Sequence, residues 1–152
     1  MPAAMGMLSR RALSEGEIRF RLAAKGFTEA QATDALIRLR ELSLVDDSAL
    51  CANLARRYRD VRRLGPRRIA GALLVRRFPR DLVEQSVRAV SRPEEEQAAA
   101  AAALAKKFRG GIPESREGAA KAYRFLSQRG FSPGTCRQAI RALSDDIVEG
   151  EG

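Results

Sequence analysis

A chain of 152 residues with 45% hydrophobic and 31% charged residues is too apolar to be disordered, and it suits one domain or a short array of small units. Alanine and leucine dominate while aromatics are only 5%, which favours helices over a sheet sandwich. With no histidine, His-based acid–base catalysis, His metal ligands and Ser-His-Asp or Cys-His arrangements are excluded, and a net charge of +9 directs attention to polyanionic partners.

Taken in chain order, residues 1–7 read as a disordered lead without the apolar segment of a secretory signal. Ser14 can cap the first core helix, and Glu17 three residues on completes a capping box. That helix runs to Gly26, which suits a left-handed C-terminal turn. Thr28 then caps a second helix, with Ala32, Leu36 and Leu39 at helical spacing. Asp46 or Asp47 can cap a helix running to about Leu64, with an apolar stripe of Leu50, Leu54, Tyr58 and Val61. Gly65-Pro66 ends it and opens the next, and Pro79 suits the first turn of the helix after that. Ser91 and Glu94 frame a further helix, with Pro93 in its first turn and Lys106, Lys107 and Arg109 near its end. Gly110-Gly111 reads as an interhelix turn, and Asp145-Asp146 as part of a fraying C-terminal segment.

Three segments of this series align without gaps, at offsets of 51 and 53 residues: 18–39, 69–90 and 122–143. Leu22, Leu73 and Leu126 correspond. Lys25-Gly26-Phe27-Thr28 matches Arg76-Arg77-Phe78-Pro79 and Arg129-Gly130-Phe131-Ser132. Each Phe is expected to pack back on the helix it follows. Arg77 stands where the other copies have Gly, which costs about 1 kcal/mol in a left-handed turn. The expected fold is all-α: eight or nine helices forming three tandem units in an elongated, curved stack, with neighbours sharing apolar faces. The unit boundaries are 8–46, 47–91 and 92–148, with a tail at 149–152.

Charge is concentrated. The window 56–80 holds ten arginines and a single acid, Asp60, so its +9 equals the net charge of the whole chain. Arg56, Arg59 and Arg63 would share one helix face, with Arg62 beside them, and Arg67 and Arg68 open the next helix, where cations oppose the dipole. With Arg76 and Arg77 they form a candidate binding strip that no internal partner neutralises, and guanidinium groups suit bidentate contact with carboxylate or phosphate. Lys121, Arg124, Arg129 and Arg137 form a weaker second set.

No GxxxxGK[ST] or GxGxxG phosphate loop occurs, and neither acid pair has a partner for metal or dyad chemistry. No catalytic residue, cofactor, metal or small-molecule substrate is therefore expected. Cys51 and Cys136 lack CxxC spacing and read as small buried residues in a reducing cytosol. No run of 18 apolar residues is present, so no membrane span is expected.

The segments 14–47, Gly65-Pro66-Arg67-Arg68-Ile69 and 121–132 resemble the RecX family of bacterial regulatory proteins. Ala-Lys-Gly-Phe at 24–27, Leu-Val-Asp-Asp at 44–47 and Arg-Phe-Leu-Ser-Gln-Arg-Gly-Phe-Ser at 124–132 carry the likeness, which extends roughly over residues 8–145. The resemblance implies three tandem three-helix repeats and a cytoplasmic, non-catalytic protein. It implies binding to RecA recombinase filaments on single-stranded DNA, with restraint of RecA ATPase, strand exchange and co-protease activity. The alternative from the residues alone is a basic, helix-turn-helix-like protein that binds DNA directly. An adaptor with another acidic partner is a third reading.

Overall fold

The structure, a computed structural model, describes residues 2–8 and 11–151, with side chains described as far as Asp145. Every regular element among the described residues is a helix. The first unit contains α1 (Pro2–Leu8), α2 (Glu15–Ala24) and α3 (Glu29–Glu41). The second contains α4 (Asp47–Asp60), α5 (Pro66–Val75) and α6 (Arg80–Val90). The third contains α7 (Pro93–Lys107), α8 (Arg116–Gln128) and α9 (Pro133–Glu151).

Local sequence sets most of the boundaries. At α2 the Ser14 hydroxyl accepts from the Glu17 amide at 3.0 Å, and the Glu17 carboxylate accepts from the Ser14 amide at 2.9 Å. Thr28 and Gln31 form the same reciprocal pair at α3. Asp46 caps α4, whereas Asp47 accepts from the Glu15 amide at 3.0 Å. The expected Ser91–Glu94 box does not form. Pro93 occupies the first turn of α7, Arg92 becomes the cap residue, and Ser91 closes α6 instead. Ser115, not singled out from the sequence, caps α8 through the Gly118 amide at 2.9 Å.

The three repeated turns share one geometry. Gly26 and Gly130 have φ of 93° and 92°, and Arg77 takes the left-handed region too, at 63°. In each turn the following Phe amide donates back to the repeated leucine: Phe27 to Leu22 at 3.1 Å, Phe78 to Leu73 at 3.5 Å and Phe131 to Leu126 at 3.2 Å. Arg77 therefore keeps the turn despite its Cβ, at a cost of about 1 kcal/mol.

Each unit has its own apolar core. Ile18, Leu22, Leu36 and Leu39 centre the first, Cys51, Ile69, Leu73 and Val83 the second, and Leu104, Leu126 and Cys136 the third. The expectation that units must share apolar faces is corrected by these separate cores. Four sequence expectations fail locally. Residues 2–8 are helical rather than a disordered lead, because Ala4 and Met7, one turn apart, complete the first core; Met1 lies outside the described residues. Val61 is 66% exposed because α4 ends at Asp60, so the stripe stops at Tyr58. Phe27 is 39% exposed, although Phe78 and Phe131 are buried. At the other end, α9 continues through 149–151, where a tail was expected; Gly152 lies outside the described residues.

The units meet at backbone carbonyls, and equivalent positions dock twice. The Ser14 hydroxyl donates to the Arg76 carbonyl at 2.5 Å between units one and two. The Gly65 amide donates to the Arg129 carbonyl at 2.7 Å between units two and three. Positions 14 and 65 are equivalent by the 51-residue offset, and positions 76 and 129 by the 53-residue offset. The approach is close: a Cβ on Gly65 would lie 2.5 Å from the Gly130 carbonyl carbon, and one on Gly16 would lie 2.2 Å from the Arg77 oxygen. Narrow junctions leave the molecule elongated. Its accessible surface is 9589 Å², against about 7600 Å² for a compact monomer of this mass.

Candidate anion-binding surface

The arginine-rich stretch does not act as one strip. Arg76 is withdrawn into the first junction, its side chain only 14% exposed. Its guanidinium donates to Glu17 at 2.8 and 3.3 Å and to the Ala12 carbonyl at 2.8 Å. Burial pushes the Glu17 carboxyl up, but hydrogen bonds from Arg76 and the Ser14 amide, with the charges of Arg76 and Arg11, outweigh it and hold the group below the ordinary carboxylate value. Arg59 is likewise occupied: it donates to Asp60 at 2.8 Å and to the Val90 carbonyl at 3.3 Å, and it pairs with Glu95. Asp60 is held below its usual value by that hydrogen bond from Arg59. For Arg59 and Arg76, the expectation of no internal partner is corrected.

The shared helix face also dissolves. α4 ends at Asp60, and Arg63 lies beyond it with φ of 53°, so only Arg56 and Arg59 ride the helix. Arg56 is exposed and, among the described residues, bonds only to Asn53. Arg77 lies over the exposed Phe20 ring at 3.8 Å.

What the structure does gather is a cleft between units two and three. Arg62, Arg63 and Arg68 come from the second unit, and Lys106, Lys107 and Arg129 from the third. Val61, Leu64, Ala103 and Phe125 supply the apolar lining, and the cleft encloses about 550 Å³. No acid lines it, and none of these six cations forms an ion pair among the described residues. Arg129 lies 5.2 Å and Lys107 5.9 Å from the Phe125 ring centre, and Phe108 meets that ring edge-on at 6.2 Å. Arg62 lies 5.2 Å from the Tyr58 ring centre. Arg67 and Arg68 donate to the Ser127 and Gln128 carbonyls at 2.8 and 3.1 Å, which satisfies the end of α8.

Lys121 and Arg124 are exposed on α8 but do not line the cleft. Sequence reasoning missed Lys106 and Lys107, whose position at the end of α7 had explained them as dipole complements. Both cysteines are buried and free, and burial pushes both thiols up, which makes them poor nucleophiles. Among the described residues no group of His, Cys, Asp and Glu could hold a metal ion, and no helix is long and apolar enough to cross a membrane.

Family models described as "RecX, first three-helix domain" and "RecX, third three-helix domain" match residues 3–39 and 94–140. A Thermus thermophilus protein named Regulatory protein RecX is 37% identical over 151 residues, covering 98% of this chain and 93% of that relative. The chain belongs to the RecX family. A Deinococcus radiodurans RecX is 32% identical over 138 residues, 91% of this chain and 65% of its own length. The crystal structure of RecX from Lactobacillus salivarius shares the fold, with a TM-score of 0.80 and 19% identity over 94% of this chain and 93% of that one. Family membership carries a regulatory role, and it accounts for the three tandem three-helix units.

Proposed function

We propose that this chain regulates RecA recombinase filaments assembled on single-stranded DNA, chiefly by restraining RecA ATPase, strand exchange and co-protease activity, and that it does so without catalysis of its own. Membership of the RecX family supports the reading, and the observation that carries it at residue level is the unpaired cationic cleft between units two and three. An elongated chain of small units can follow an extended helical partner, while its cations meet acidic protein faces or phosphates. Arg56 and Arg67 are further exposed cations of the second unit, and Arg77 is exposed at the first junction.

Titrating the protein into RecA on single-stranded DNA tests this directly. ATP hydrolysis is expected to fall in a dose-dependent way. Reversing Arg56, Arg63 and Arg67 to Glu is expected to weaken inhibition by about tenfold or more, with the far-ultraviolet circular dichroism unchanged. Undiminished inhibition by that variant would remove the arginines from the mechanism. Tight, sequence-selective binding of duplex DNA in the absence of RecA would favour direct DNA recognition instead.

A further inference from the structure

The two junctions are built alike but charged differently. Counting back one residue from the aligned segments, Glu17 in the first unit corresponds to Arg68 in the second, and Arg76 corresponds to Arg129. At the first junction these positions hold a carboxylate and a guanidinium, bonded at 2.8 Å. At the second they hold two guanidinium groups on the same cleft, with four more cations around them and no acid. The second junction thus docks the same carbonyl position as the first, but Arg68 stands where Glu17 supplies the anion.

We infer that this cleft binds a chain of phosphate groups, which supplies from outside the negative charge that Glu17 supplies within the first junction. The plain alternative is that each cation only offsets a helix C-terminus, since α4, α7 and α8 all end there. Three such ends contribute about half a negative charge each. Six cations exceed that by more than four positive charges, so the helix ends account for only a quarter of them. The volume falls in the usual range for small-ligand sites. Arg129 and Lys107 lie over the Phe125 ring, and Phe108 packs perpendicular to it. The Phe125 ring holds cations in place for phosphate oxygens. Arginine predominates over lysine, which suits bidentate contact with those oxygens.

The phosphates could be those of a free polyphosphate or of a single nucleic-acid strand, and separate titrations distinguish the two sources. The inference goes beyond the filament reading and does not need it, because the titrations contain no RecA. Calorimetric titration of the full chain with inorganic triphosphate, with sulfate and with a short oligothymidylate is the test. We expect one-site binding of triphosphate or of the oligonucleotide, much tighter than sulfate and weakening as salt rises. Arg68→Glu restores the charge pattern of the first junction, so it is expected to keep the fold and lower that affinity by about tenfold or more. Lys106→Gln, at an exposed side chain with no hydrogen bond or ion pair among the described residues, repeats the test where refolding is not in question. Binding of triphosphate alone assigns a free polyphosphate, and binding of the oligonucleotide alone assigns a strand. Sulfate binding as tight as either, or affinity unchanged in both variants, overturns the inference.

Discussion

The two junctions of this protein dock equivalent turns at equivalent positions and differ in electrostatics. Between units one and two, Ser14 holds the Arg76 carbonyl, while Glu17 holds the Arg76 side chain. Between units two and three, Gly65 holds the Arg129 carbonyl, and Arg68 stands where the carboxylate would be. The turn and the close glycine approach recur at both junctions, whereas the ion pairs differ: Glu17–Arg76 lies beside the docked turn at the first, and Arg59–Glu95 joins the units away from it at the second. The charge is free to differ, so one junction is closed on itself and the other is open to an external anion.

The largest expected effect tests the closed junction. Glu17→Ala leaves Arg76 with its principal counter-charge removed while mostly buried, which should cost about 3 kcal/mol of unfolding free energy, measured by urea denaturation. The acid limb of the stability curve gives a smaller effect at the same place. Because Glu17 is held below the ordinary carboxylate value of 4.5, its contribution is present above that pH and lost as pH falls through its folded-state value. Asp47, pushed up by burial, works in the opposite direction. Wild type minus Glu17→Gln should isolate the Glu17 part, as a stability difference that shrinks with acidification below about pH 4.5. A difference independent of pH would show that Glu17 is not ionised in its pair. Smallest is Arg77→Gly. Relief of about 1 kcal/mol of left-handed strain is offset by a lost contact over Phe20 and by extra freedom in the unfolded chain. The net change should stay within about 0.5 kcal/mol.

Much of the fold was legible because it is local. Ser14, Thr28, Asp46 and Gly65-Pro66 act on residues within one turn, and the repeated leucine and phenylalanine mark each unit. Arg77 reads as a departure in sequence yet takes the same turn, because the packing of Phe78 over-determines it. The site was legible only in outline. Charge density pointed to residues 56–80, but nothing nearby in sequence shows that Arg76 meets Glu17, 59 positions away, or that Arg59 meets Glu95. Lys106 and Lys107 reach the cleft only through the docking of unit three. The Glu17–Arg68 exchange was present in the repeat alignment all along, one residue before the segments begin, and it becomes informative once the junctions are known to be equivalent.

The proposed function assigns the paired arginines of one basic stretch to structure and the unpaired ones to regulation. Inhibition of RecA's single-strand-dependent ATPase by two double variants tests it most directly. Glu17→Gln with Arg76→Met, which replaces a closed pair, is expected to inhibit like the wild type wherever it is folded. Arg63→Gln with Arg68→Gln, which strips the open cleft, is expected to inhibit about tenfold less well. Equal loss in both, or loss confined to the first, would mean that the two sets of arginines do not divide in this way.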